Sequence, residues 1–330
     1  MRRREFLAAF VGTITQWPLV ARAQQSHRMR LIGVLMGPAE NDPAAQLWLA
    51  AFRDGLTKLG WTADSNLRIE LRWGAADADK IATFAKELIK LQPDAIFGVT
   101  TPVIGALARE TRTIPIVFAI VVDPIGGGFA ASLAHPGGNI TGFVAVDAAL
   151  GGKWVALLKE IAPGTVRVAL LFNPATTSPL QFYMPSIQAA ASALAVEVIA
   201  APVHAKDEIE GVIAAQAHNP GGGVILIPDV FNVQNSDLII GLAARYRVPT
   251  IYFDADHFAA RGLITYGNDY PEECRQAAGY IDRILKGAKP ADLPIQLPTK
   301  FKLTINTKTA NALGLTLSSG LLSIADEVIE

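Results

Sequence analysis

The residues best suited to hold a small molecule sit where short apolar runs stop. Thr100-Thr101-Pro102 follows the run Ala95–Val99 and opens a helical pattern. A helix start there offers free N–H groups and a partial positive charge, which suit a carboxylate or other anion, and the two hydroxyls add donors. The same threonines are equally suited to ordinary N-capping. Asp123 and Asn173 each precede a proline at a strand end, fit either to meet a polar ligand or to start a turn. Asp229 and Asp254 close later apolar runs and have the same two readings. Tyr266 carries a ring that can stack on a planar ligand and a hydroxyl that can bond to it, and Phe143 can shield a cleft; both can also simply pack. The chemistry in view is non-covalent capture, with Thr100 and Thr101 on an anionic group and Asp123 or Asp229 on a cationic one.

Signals for other chemistry are weak. Asp254-x-Asp256-His257 is the one compact acid/histidine group, and a loop with a helix cap explains it better than a metal, which needs three or more converging ligands. Gly126-x-Gly128-x-x-Ala131, with Asp147 downstream, matches a dinucleotide fingerprint in letters only. It follows a fourth strand rather than a first, and His135-Pro136-Gly137-Gly138 leaves little room for a helix. No nucleophile elbow, phosphate loop or zinc helix motif occurs, so no cofactor and no catalytic constellation are expected.

The elements that position these residues alternate. Leu31–Met36, Leu67–Trp73, Ala95–Val99 and Ile116–Val121 read as strands, with helices at 43–59, 79–91 and 102–111 between them. In the first helix Leu47, Ala51, Leu56 and Leu59 fall near one face. Glycine- and proline-rich turns interrupt the rhythm at 126–128 and 135–139, and it restarts from Val166 to Phe253. This order predicts an α/β protein of two Rossmann-like lobes, each a parallel sheet flanked by helices. Beyond Gly262 come a short strand, the helix 272–285, an extended stretch with Pro290, Pro294 and Pro298, and a last strand and helix.

The chain of 330 residues is long enough for two such cores, and its mean hydropathy of +0.30 fits buried parallel strands. The opening Met1-Arg2-Arg3-Arg4-Glu5-Phe6-Leu7, a modest apolar stretch and Ala21-Arg22-Ala23 form an export signal with twin-arginine character, cut after Ala23. Without those residues the balance is 25 basic to 29 acidic, which disfavours nucleic acid as a partner. No apolar run approaches the roughly 20 residues of a membrane span, so no stable membrane insertion is expected after cleavage. The single cysteine, Cys274, excludes an internal disulfide, and none near the cut site is available for a lipid anchor.

A set of phrases carries a family resemblance: Leu31-Ile32-Gly33-Val34-Leu35, Ala51-Phe52-Arg53-Asp54-Gly55-Leu56, Ile114-Pro115-Ile116-Val117-Phe118, His135-Pro136-Gly137-Gly138-Asn139-Ile140-Thr141-Gly142, Tyr266-Gly267-Asn268-Asp269-Tyr270, Ile284-Leu285-Lys286-Gly287 and Ile305-Asn306-Thr307-Lys308. In order and spacing they resemble the ABC-transporter substrate-binding proteins of the tryptophan/tyrosine-importer type, with Asn268 standing where a proline is expected. The resemblance implies a type I periplasmic-binding-protein fold with a hinge of three crossovers. It places lobe 1 at 28–144 plus 268–296 and lobe 2 at 145–267 plus 297–330. It also implies uptake of a small molecule, with an aromatic or other amino acid as candidate, a soluble periplasmic location, and permease and ATPase partners. A ligand sensor docking on a receptor kinase, or an enzyme on the same scaffold, are the alternatives.

Overall fold

The computed structural model describes residues 29–145, 147–176, 180–218 and 220–330; the expected export signal and its cut site lie outside the described residues. The first sheet is built from β1 (Arg30–Met36), β2 (Leu67–Trp73), β3 (Ala95–Val99), β4 (Ile116–Val121) and β5 (Ile140–Val144), in the order β2-β1-β3-β4-β5 and parallel throughout. Between them run α1 (Pro43–Lys58), α2 (Ala78–Lys90) and α3 (Thr101–Glu110). Every residue of β3 is buried, as a central parallel strand covered on both faces requires. Asp42 and Asp77 fix the starts of α1 and α2 by accepting from the backbone N–H groups one turn in.

The chain then builds a second sheet. In chain order its elements are α4 (Leu150–Ile161), β6 (Arg167–Phe172), α5 (Met184–Ala193), β7 (Glu197–Pro202), α6 (Glu208–Ala217), β8 (Gly222–Leu226), α7 (Val230–Gln234), α8 (Ser236–Tyr246), β9 (Thr250–Tyr252), α9 (Ala255–Phe258) and β10 (Ile264–Asn268). Helix α10 (Tyr270–Leu285) returns to the first sheet. Strand β11 (Phe301–Asn306), α11 (Thr307–Ala312), α12 (Ser319–Ser323) and β12 (Glu327–Ile329) complete the second. Its order is β12-β11-β10-β9-β8-β6-β7, parallel except for the antiparallel pair β10–β11.

The chain therefore passes between the sheets three times, after β5, after β10 and before β11. These passes are tied to one another. Gln296 donates its N–H to the Gly142 carbonyl and accepts from Val144 N–H, both at 2.9 Å. The Asn268 side-chain amide donates to the Ala145 carbonyl, and Asp269 N–H to the Lys300 carbonyl at 3.3 Å.

One expectation about α1 is corrected. Leu47 and Leu59 are 55% and 42% exposed, whereas Trp48, Leu49, Phe52 and Leu56 are buried. The buried face is turned toward α10, which approaches so closely that a Cβ on Gly55 would collide with Ala278 and the Arg275 backbone. The bulk of Trp48 and Phe52 and the absence of a side chain at Gly55 set this rotation. The Phe52 ring stacks on Phe97 of β3 at 4.1 Å.

Candidate functional site

In open parallel sheets the loops at the carboxyl ends of the strands form the binding crevice. At the end of β3, Thr100 has φ +87° and ψ 151°, a backbone region nearly reserved for glycine and strained for a β-branched side chain. On the neighbouring strand Ile120 has φ +59° at an irregularity in the β4–β5 pairing. Thr100 occupies the N-cap position of α3, but its side chain does not cap the helix; Thr101 and Pro102 are the first helical residues. Thr101 Oγ1 instead accepts from Val122 N–H of the next strand end at 3.3 Å. The start of α3 is thus left without a side-chain cap, unlike that of α1.

The other sequence candidates have these surroundings. Asp123 is exposed and starts a turn, accepting from Gly126 N–H at 2.7 Å. Phe143 is buried against Tyr280 of α10, their rings 4.9 Å apart. Asn173 and Asp229 are brought together: Asp229 Oδ2 accepts from Asn173 N–H at 2.7 Å, while Oδ1 accepts from Phe231 N–H at 2.9 Å and the Thr176 hydroxyl at 2.6 Å. Buried and engaged on both oxygens, Asp229 ties the end of β6 to the start of α7. Tyr266 stacks on Phe301 at 5.9 Å and lines, with Asp147 and Lys153, a concavity of about 370 Å³ beside α4. Asp254, buried, caps α9 through Asp256 N–H at 2.8 Å.

Asp254 is also part of a contact between the two sheets' crevice loops that the sequence did not reveal. Trp48 of α1 donates its indole N–H to Asp256 Oδ2 at 2.8 Å. His257 Nδ1 lies 2.5 Å from Asp254 Oδ2, and its Nε2 lies 3.6 Å from Asp42 Oδ2 at the head of α1. The Trp48 ring meets His257 and Tyr270 edge-on, at 6.1 and 5.6 Å. Three carboxylates, one imidazole and two large aromatic rings thus converge from α1, α9 and α10. Sequence reading picked out Asp254, Asp256 and His257 as a group but had no signal for Trp48 or Asp42, more than 200 residues away.

The electrostatics follow from burial and crowding. Burial lifts the Asp256 carboxyl to about 6, and the Asp254 charge adds to it; the Trp48 indole, His257 and Lys302 oppose the rise. Burial pulls His257 down, but its bond to Asp254 and the charges of Asp254, Asp42 and Asp256 outweigh that and lift it to about 9. Burial pushes the Tyr270 hydroxyl well above its ordinary value, reinforced by Asp254 and Glu273, so it stays neutral. Glu273, next along α10, is buried with neither carboxyl oxygen hydrogen-bonded. Burial raises its carboxyl well above the usual range; the Ile120 N–H and the Asn268 amide lie near enough to oppose this without completing a bond. The Tyr183 hydroxyl, fully buried, likewise has no hydrogen-bond partner among the described residues.

Comparison with known proteins identifies this architecture. The family model for ABC transporter substrate binding proteins matches residues 39–329. The chain belongs to that family. As such it is the substrate-binding component of an ABC transporter and not an enzyme. A tyrosine-binding protein of Clostridioides difficile (strain R20291) is 23% identical over 266 residues, covering 79% of this chain and 75% of the relative. The ABC domain from Streptococcus pneumonia, solved in complex with L-Trp, is 26% identical with a TM-score of 0.80, covering 91% of this chain and 99% of that one. A substrate binding protein with adhesive properties from Clostridium difficile, in its ligand-free, open structure, is 21% identical with a TM-score of 0.74, covering 91% and 99%. Among the described residues no helix of this substrate-binding protein is long and apolar enough to cross a membrane.

Proposed function

We propose that this substrate-binding protein captures an aromatic α-amino acid, with L-tryptophan and L-tyrosine the first candidates, in the crevice between its two sheets. The observation that carries this reading is the convergence of Trp48, Tyr270, Asp254 and Asp256 from both sides of the crevice. Aromatic rings there suit a planar side chain, and the carboxylates suit an ammonium group. Across the crevice, the uncapped start of α3 with Thr100 and Thr101 suits the ligand carboxylate. The L-Trp complex of the pneumococcal relative and the tyrosine-binding relative lend support.

The two lobes divide at the three passes, as 28–144 plus 268–296 and 145–267 plus 297–330. Ligand adds to the closure of one lobe on the other, and the liganded closed form engages a permease and its ATPase after export to the periplasm. Each lobe's own sheet and the short tied passes between them support this division.

Calorimetric titration of the purified protein with L-tryptophan, L-tyrosine, L-phenylalanine, indole-3-lactate and a neutral sugar tests the reading. Saturable binding of an aromatic amino acid, with indole-3-lactate at least about tenfold weaker for want of the ammonium, is the expected result. Binding of the sugar, or equal binding of the lactate, overturns the assignment.

A further inference from the structure

We propose that His257 is a protonation-dependent strut across the crevice: as an imidazolium it bridges Asp254 on its own side and Asp42 on the opposite side, and so holds the two lobes closed. The proposal rests on the reading of the chain as two lobes that open and close, but not on the identity of the ligand.

The geometry gives each ring nitrogen its own carboxylate. Nδ1 bonds to Asp254 Oδ2 at 2.5 Å within the second lobe. Nε2 is buried, has no hydrogen-bond partner among the described residues, and faces Asp42 Oδ2 at 3.6 Å. Asp42 divides its work: Oδ1 accepts from Ala44 and Ala45 N–H at 2.9 and 3.2 Å, capping α1, which leaves Oδ2 for the histidine. A neutral imidazole offers a donor to only one of the two carboxylates, whereas the protonated ring offers one to each.

Opening the lobes removes Asp42 from His257 but leaves Asp254 in place. Closure buries the ring, which favours the neutral imidazole, and brings up Asp42, which favours the charged one; with the second effect the stronger, the closed form holds the imidazole proton more tightly than the open form. Closure is favoured while His257 is charged, and that support is lost as pH rises through about 9, the value burial and the three aspartates set in the closed form. The remaining groups around the ring keep their charge in this window. Asp256, on α9, is ionised above about 6. Tyr270, on α10, is raised well above its ordinary value and stays neutral. Lys302, on β11 beside Asp256, is lowered by burial but held above its ordinary value by Glu327, Asp256 and Asp269, and stays charged. Trp48, on α1, does not titrate.

The test uses the ligand-free protein. Small-angle scattering is recorded at about pH 7 and about pH 10, and the His257 ring is titrated by NMR, with wild type, Asp42→Asn and His257→Gln. Asparagine is as good an N-cap as aspartate, so Asp42→Asn keeps α1 capped and removes only the charge. Wild type is expected to expand between the two pH values, while Asp42→Asn and His257→Gln show the expanded dimension at both. The His257 pKa is expected to fall by about one unit in Asp42→Asn. An unchanged wild-type dimension, or a His257 pKa that ignores Asp42→Asn, overturns the proposal. Failure of aromatic amino acids to bind refutes the ligand assignment alone and leaves this result standing.

Discussion

Asp229→Ala removes the shared acceptor of Asn173 N–H, Phe231 N–H and the Thr176 hydroxyl at a position only 5% exposed. The buried Asn173 N–H left unpaired costs about 1–3 kcal/mol and loss of the α7 cap at Phe231 N–H about 1 kcal/mol, while the Thr176 hydroxyl, on an exposed residue, turns to water. Together these come to about 3 kcal/mol. For a protein of this size that is a fall of roughly 10 °C in melting temperature. Thermal and urea unfolding followed by circular dichroism read it directly, and ligand affinity measured well below the transition is expected to stay within about threefold of wild type. Asp229→Asn separates the bonds: its carbonyl can still accept from Phe231 and Thr176, but its amide then faces the Asn173 N–H, donor to donor. About half the loss is expected. The reasoning is refuted if Asp229→Ala melts within about 2 °C of wild type while ligand affinity falls by about a hundredfold. The carboxylate would then serve the ligand and not the joint between β6 and α7.

Other substitutions probe the crevice. Asp256→Asn keeps an acceptor for Trp48 yet removes the charge, and is expected to weaken an aromatic amino acid by about tenfold or more in calorimetry. The same variant has a pH signature. A carboxyl raised to about 6 in the folded protein favours folding below its unfolded value, and that support is lost as pH rises through about 6. Asp256→Asn should therefore gain stability relative to wild type at about pH 7, by up to about 2 kcal/mol, and not at about pH 4; a pH-independent difference in urea unfolding would contradict this. Thr100→Gly relieves a backbone conformation costing about 1–3 kcal/mol and is expected to melt higher while binding more weakly, a pairing that separates stored strain from plain misfit. Cys274 is buried, and burial raises its thiol well above the ordinary value, with the Glu273 charge adding to the rise. A thiol reagent should label it only after unfolding, and rapid labelling of the native protein would show that α10 detaches readily.

The layered α/β plan was legible because parallel strands buried on both faces leave short apolar runs, of which Ala95–Val99 is the plainest. Chain order alone could not show that α10 leaves the second sheet to lie on the first. That depends on Gly55 and Ala278 meeting across more than 200 residues, and it is also why Leu47 and Leu59 lie off the buried face of α1. The same separation hid the crevice contact. Asp254, Asp256 and His257 are close in sequence, but Trp48 and Asp42 become their neighbours only where the loops of the two sheets meet. Asp123 and Asp229 show the converse limit. An aspartate at a strand end is the same letter whether it waits for a ligand or is already engaged by the backbone.

The long return of α10 also bears on how the chain comes to be folded. Gly55 on α1 is packed against a helix whose residues are synthesised more than 200 positions later. Until Tyr270–Leu285 has left the ribosome, the flank of α1 around Gly55 and the neighbouring face of the first sheet have nothing native to place on them. Such delayed closure of distant contacts slows folding and prolongs exposure of sticky surface. The nascent chain is thus a natural client for a holding chaperone, and a truncation just before residue 270 should yield an aggregating fragment rather than an independent half.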